Sequence, residues 1–305
     1  MHPLSAAHKA FGGLDAQPGR SRVTLGAMGF LDGRAVVITG AGRGLGRAFA
    51  RHAAGNGAAV VVNDVDAEPA RETVAAIAAD GGTAVASVGS VADAEYARSL
   101  ISLCGRRFGA VDGLVNNAAV GYHAPPWEDD DAERARALVE TNVLGPLHCG
   151  TAAAKVMCAQ GRGVIVNVTS GSMIGQRRAA AYSASKGAVA SMTYSWAVDL
   201  AEHGVRVNAV SPIAWTRLMA ADPNGNPDAP PPERVAPLVT YLLSDLSAGV
   251  TGQVLRLADG HLHAVRQPGI IRPVLRRDNW TVEEIAAAVG GELVLESPPR
   301  ERWTL

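Results

Sequence analysis

Cysteine is scarce in this sequence, with three in 305 residues. Cys104, Cys149 and Cys158 show no metal-ligand spacing, and so odd and sparse a set fits a reducing compartment and ordinary buried thiols. Net charge is nearly absent as well, since 28 Lys and Arg stand against 29 Asp and Glu. A chain so balanced carries no electrostatic footprint for nucleic acid or for an anionic membrane surface. Apolar runs long enough to cross a bilayer are missing, and the first residues lack the continuous apolar core of a signal peptide. These absences predict a cytoplasmic protein without a metal centre, whose partners are neither nucleic acid nor membrane.

What is present is apolar patterning, with 48% of the residues hydrophobic. That suits one large α/β domain with short appendages. Residues 1–29 mix Gly, Pro, Ser, His and Arg without periodicity and read as a disordered leader; Met28 stands just before the patterned region. From Arg34 onward, short runs rich in β-branched residues read as buried parallel strands: 35–39, 58–63, 84–88, 114–115, 164–168, 205–210 and 254–257. Helical stretches at 45–54, 69–79, 94–108, 131–158 and 182–202 alternate with them. The alternation predicts a doubly wound parallel sheet of Rossmann type with helices on both faces, one domain over 30–262. Pro, Asn, Asp and Gly between Met219 and Pro232 predict a mobile surface loop. Residues 263–305 form a C-terminal extension, in which Thr281 and Glu284 make a capping box ahead of one short helix.

The first strand runs into Thr39-Gly40-Ala41-Gly42-Arg43-Gly44-Leu45-Gly46, and a helix follows at once. Glycines here let the backbone approach a pyrophosphate and present N–H groups at a helix N-terminus. The loop satisfies T-G-x-x-x-G-x-G on Thr39, Gly40, Gly44 and Gly46. Asp64 ends the second strand, where a carboxylate accepts hydrogen bonds from an adenosine ribose. It also repels the 2′-phosphate of NADP: at ~4 Å and an effective dielectric of ~20 the repulsion is roughly 4 kcal/mol. Arg43 argues for NADP, but the direct repulsion from Asp64 decides for NAD.

Tyr182-Ser183-Ala184-Ser185-Lys186 is the most specific signal in this context. Tyr182 and Lys186 stand at i and i+4 and share a helix face. Hydride transfer to a carbonyl needs a proton delivered to its oxygen. A free tyrosine, with a pKa near ~10, is a poor base at neutral pH. A lysine ammonium nearby, together with an oxidised nicotinamide, favours the phenolate. Ser170 ends the fifth strand, where its hydroxyl can hold the substrate oxygen; Thr169 is the alternative donor and Ser172 a more distant one.

The glycine loop, Asn116-Asn117-Ala118-Ala119 and Y-x-x-x-K, in this order, resemble the short-chain dehydrogenase/reductase family. The likeness covers roughly residues 31–260. Its nearest look is to the (R)-3-hydroxyacyl-CoA dehydrogenase domain of multifunctional β-oxidation enzymes, carried by Val60–Asp64, Ser90-Val91 and Val235–Val239. The resemblance implies a catalytic set of Asn142, Ser170, Tyr182 and Lys186, with Asn142 bending its helix and holding a water that relays protons to Lys186. Ser170 lies one residue closer to the tyrosine than is usual in the family, and Ala119 replaces a glycine. The implied cofactor site comprises Gly40, Arg43, Gly44, Leu45, Gly46, Asp64, Ser90, Val91, Asn117, Ala118, Ala119, Tyr182, Lys186, Pro212, Ile213 and Thr216. Ile213 stands where relatives have glycine after the proline.

The expected activity is interconversion of a secondary alcohol and its ketone with NAD(H). The expected substrate is apolar, such as a hydroxyacyl-CoA or a steroid- or terpenoid-like alcohol, held by Ile174, Trp215, Leu218 and Met219. A catalytically silent cofactor-sensing or scaffolding protein of the same fold is the alternative, and the complete catalytic set argues against it. Apolar residues on several faces of helices 131–158 and 182–202 predict a homotetramer or homodimer.

Overall fold

Alternate residues of the strands face opposite sides of the sheet, and here both sides are apolar. In the computed structural model, which describes residues 29–222, 225–258 and 260–294, Val36, Ile38, Val60 and Val62 pack on one face. Val37 and Val61 pack on the other. The eight strands are β1 (Ala35–Ile38), β2 (Ala59–Asp64), β3 (Thr83–Val88), β4 (Gly113–Asn116), β5 (Gly163–Val168), β6 (Val205–Pro212), β7 (Val254–Ala258) and β8 (His261–Val265). They form one sheet in the order β3-β2-β1-β4-β5-β6-β7-β8. All neighbouring pairs from β3 to β7 are parallel, and β8 is antiparallel to β7. The strand order reverses between β1 and β4, which opens a crevice at the carboxyl ends of the strands.

The helices are α1 (Gly44–Gly55), α2 (Ala67–Ala79), α3 (Ala94–Phe108), α4 (Ala132–Val139), α5 (Gly145–Gln160), α6 (Ala180–Asp199), α7 (Arg217–Ala220), α8 (Ala236–Leu243) and α9 (Val282–Ala287). Phe49 of α1 and Leu242 of α8 fill one side of the sheet; Leu100 of α3 and Met157 of α5 fill the other. Local signals set the ends of these helices. Asp93 accepts from the Glu95 and Tyr96 amides at the start of α3, and Gly109, at φ 84°, stops it. Thr281 and Glu284 form the capping box that opens α9. Among the described residues no helix is long and apolar enough to cross a membrane.

The structure departs from the sequence reading in three places. The helix expected over 131–158 is two helices joined by a π-helical turn, Glu140–Leu144, centred on Asn142. β8 extends the sheet to Val265, past the boundary drawn at 262, as the return strand of a hairpin in which Arg256 pairs with His263. The segment expected as an open loop after Met219 begins inside α7 and is tied back by a Trp215 amide bond to the Pro230 carbonyl. Residues 1–28 of the expected leader, Met28 among them, lie outside the described residues.

Candidate active site

A cleft of about 500 Å³ opens at the strand-order reversal. The glycine loop forms its floor. Gly40 takes φ 61°, and a Cβ there would stand 2.8 Å from the Ala118 Cα. A Cβ on Gly46 would lie 2.2 Å from the Gly40 carbonyl oxygen. Only glycine permits this closeness. The Thr39 hydroxyl accepts from the Asn117 and Ala118 amides, and Asn117 Nδ2 donates to the Thr39 and Gly40 carbonyls. Asn117 therefore fixes the loop while also lining the cleft. No side chain caps α1, and Gly44, Leu45 and Gly46 of its first turn line the cleft. This is the arrangement in which helix amides receive an anionic phosphate.

At one end of the cleft, Asp64 Oδ2 accepts from the Gly42 amide at 2.9 Å and Oδ1 from the Asp66 amide at 3.1 Å. Asp64 therefore braces the loop as well as facing the site. Arg43 is ion-paired with Asp66, which holds the Asp66 carboxyl below the usual carboxylate range. This partner for Arg43 is a feature the sequence reading missed. Ser90, Val91, Asn63 and Ala119 line the same end.

Ser170, Tyr182 and Lys186 come together in the opposite wall. Thr169, the alternative to Ser170, also lines the cleft, but its hydroxyl donates to the Lys186 carbonyl at 2.8 Å. Ser170 instead hydrogen-bonds Tyr182, despite the shorter spacing. Lys186 Nζ donates to the Val168 carbonyl at 2.8 Å and lies 5.7 Å from the Tyr182 ring centre. Burial pushes the Tyr182 hydroxyl up to about 12, with the Ser170 hydrogen bond pulling the other way and the Asp222 charge adding to the rise. Burial also lowers Lys186 to about 8. In a desolvated wall the cost of either charge dominates, and the ammonium points at a carbonyl.

Asn142 does not line the cleft. Its Nδ2 donates to the Val120 carbonyl and Ser185 Oγ, and its Oδ1 accepts from the Val120 amide. Both amide hydrogens are taken up in joining the π-turn to the cleft-lining Val120 and to α6. Ile213 does not line the cleft either. Past the end of β6, Pro212, Ala214 and Thr216 line the cleft while Ile213 and Trp215 do not. The Thr216 hydroxyl accepts from the Met219 amide as the cap of α7. Leu218 and Met219 line the cleft as expected, but Ile174 and Trp215 do not. In their place stand three polar residues that the sequence reading missed: His123, Gln176 and Asp222. No local motif marks them, because they come from three separate connections.

The fold and the cleft are those of the Rossmann-like, dinucleotide-binding class. The family pattern described as short chain dehydrogenase matches residues 34–224. The chain is 37% identical over 240 residues to a cis-4-hydroxycyclohexanecarboxylate dehydrogenase of Sinomonas cyclohexanicum, covering 75% of this chain and 96% of that protein. A short chain dehydrogenase from Mycobacterium avium superposes with a TM-score of 0.79 at 33% identity, over 86% of this chain and 95% of the other. A gluconate 5-dehydrogenase from Burkholderia cenocepacia, solved with NADP and tartrate, gives a TM-score of 0.69 at 33% identity, over 75% and 95%. The chain belongs to the short-chain dehydrogenase/reductase family and is an oxidoreductase of the kind that uses a nicotinamide cofactor.

Proposed function

We propose that this enzyme interconverts a secondary alcohol and its ketone with NAD(H), Tyr182 moving the proton. The carrying observation is that the Tyr182 hydroxyl, bonded to Ser170, stands in the same cleft as the glycine loop. The glycine cradle, the uncapped start of α1 and the carboxylate of Asp64 fit a dinucleotide. NAD, when bound, supplies the hydride acceptor for oxidation and a positive charge that favours the phenolate. Tyr182 takes the proton from the alcohol oxygen in oxidation and returns it in reduction. Ser170 holds the same oxygen and stabilises charge developing on it. Lys186 holds the nicotinamide ribose from within the wall. Asn142 positions α6 through Ser185.

Among the expected substrate-wall residues only Leu218 and Met219 line the cleft. Val60–Asp64 and Ser90-Val91, which suggested hydroxyacyl-CoA, lie in the sheet and the cofactor end and support no acyl-CoA substrate. The Sinomonas relative, named for a ring alcohol that also bears a carboxylate, supports a compact secondary alcohol.

Asp64 and Asp66 together predict that kcat/KM for NAD exceeds that for NADP by about 10²–10³-fold. Measuring both cofactors over a panel of secondary alcohols tests the reading. A preference for NADP would mean that Arg43 leaves Asp66 for the 2′-phosphate. Absence of oxidation across the panel would sink the activity itself.

A homodimer or homotetramer is part of this proposal. Val139, Leu144 and Val198, on α4, the π-turn and α6, are 45%, 37% and 78% exposed. Apolar side chains of this size on neighbouring helices are what a second copy would cover. Light scattering at micromolar concentration is expected to give two or four times the chain mass, and a monomer would contradict it.

A further inference from the structure

The far end of the cleft is more polar than the sequence predicts. His123 Nε2 lies 3.3 Å from Asp222 Oδ2, with side chains 11% and 14% exposed. Gln176 Nε2 donates to the same oxygen at 3.1 Å. All three residues line the cleft with Ser170 and Tyr182. The Asp222 charge is near enough to oppose ionisation of Tyr182.

A brace between connections needs no carboxylate, because apolar side chains do that work without desolvating a charge. A carboxylate in a substrate cleft has a chemical consequence. A carboxylate offers about four acceptor positions over its two oxygens, more than the two that His123 and Gln176 take on Oδ2, so the group can also accept from a ligand hydroxyl. A hydrocarbon tail at this place would cover His123, Gln176 and Asp222 without replacing their hydrogen bonds to water. A substrate carboxylate would meet a like charge. A hydroxyl suffers neither penalty.

We propose that Asp222, oriented by His123 and Gln176, is a specificity-determining residue that accepts a hydrogen bond from a second hydroxyl of the substrate. The substrate class is then a diol or polyol, oxidised at the hydroxyl nearer Tyr182. The inference rests on Tyr182 being the place of proton transfer, which sets the end of the cleft where the reacting oxygen lies. Leu218 and Met219 cover the carbon frame between the two hydroxyls.

The test has two arms. In the first, kcat/KM with NAD is measured for cyclohexanol, for the 1,2-, 1,3- and 1,4-cyclohexanediols and for 4-hydroxycyclohexanecarboxylate. In the second, calorimetry follows binding of the same compounds to the enzyme–NADH complex, which needs no turnover. At least one diol is expected to exceed cyclohexanol and the hydroxycarboxylate by about 10- to 100-fold in both arms, the range of a charge-assisted hydrogen bond. The ratio of that diol to cyclohexanol should collapse toward one in Asp222→Ala and fall by a smaller factor in Gln176→Ala and His123→Ala. Cyclohexanol or the hydroxycarboxylate matching every diol, or a ratio unmoved by all three variants, would overturn the proposal and leave the Tyr182 reading standing. A diol that binds the NADH complex through Asp222 but is never oxidised would support the recognition and sink the reading of turnover.

Discussion

Tyr182→Phe is expected to lower kcat for alcohol oxidation by about 10²–10⁴-fold, the span of a lost general acid–base group, with NADH affinity and melting temperature close to wild type. The phenolic oxygen is the one atom removed. Its hydrogen bond to Ser170 contributes about 1 kcal/mol to stability, so the fold survives the change. The pH profile sharpens the test. Burial holds the Tyr182 hydroxyl up at about 12 before cofactor and substrate arrive. Oxidation needs the deprotonated oxygen, so wild-type kcat/KM for the alcohol rises with pH; reduction needs the proton and does not. The rise should vanish in Tyr182→Phe. A variant that keeps more than a tenth of wild-type kcat, or that keeps the rise, would show that another group moves the proton. Ser170→Ala separates the two hydroxyls, since it loses the donor to the substrate oxygen while the rise with pH remains.

The parts of this site that were legible in the sequence are those made by one continuous segment. Gly40, Gly44 and Gly46 are read together because strand, turn and helix N-terminus follow one another without a gap. Tyr182 and Lys186 are read because one helix turn brings them to one face. The strands were legible because buried parallel strands must be apolar on both sides, as Val60-Val61-Val62 is. The bend at Asn142 was legible only through the family resemblance, and its π-helical form not at all. Helical periodicity continues across it, and the cause of the break, three hydrogen bonds from Asn142 to Val120 and Ser185, lies in residues distant along the chain. β8 escaped because its His261-Leu262-His263 start is mostly exposed and takes its register from β7. Ile213 and Trp215 were misplaced for a simpler reason. Their apolar character was read as lining the site, yet Trp215 is 40% exposed to solvent, and apolar character alone does not say which way a side chain points. His123, Gln176 and Asp222 are joined by tertiary structure alone, so the substrate end of the cleft was the least readable part.

Lys186→Met is expected to stabilise the folded protein at pH 7 while removing most of its activity. Lys186 is buried, and burial lowers its ammonium from an ordinary 10.5 to about 8. The sign follows from proton binding. Below pH 8 the lysine is charged in both folded and unfolded chains, and the folded state carries the full cost of desolvating it, about 3 kcal/mol. Between about 8 and 10.5 the unfolded chain binds more protons than the folded one, so stability rises with pH across that window. Above 10.5 both are neutral and the cost is gone. Methionine has similar length and no charge, so it escapes the cost at every pH. It leaves the Val168 carbonyl without the 2.8 Å bond from Nζ, a loss of about 1–3 kcal/mol. The net gain at pH 7 is therefore up to about 2 kcal/mol, and it should shrink through the window and reverse above pH 10.5. Denaturant melts of both proteins at pH 7 and pH 10.5 measure it. A Lys186→Met protein that is less stable by the same amount at both pH values would mean that the wall compensates the ammonium fully. A gap that moves with pH in the stated direction would mean that the fold carries this charge against its own stability, as a residue held for the cofactor and for proton transfer must be.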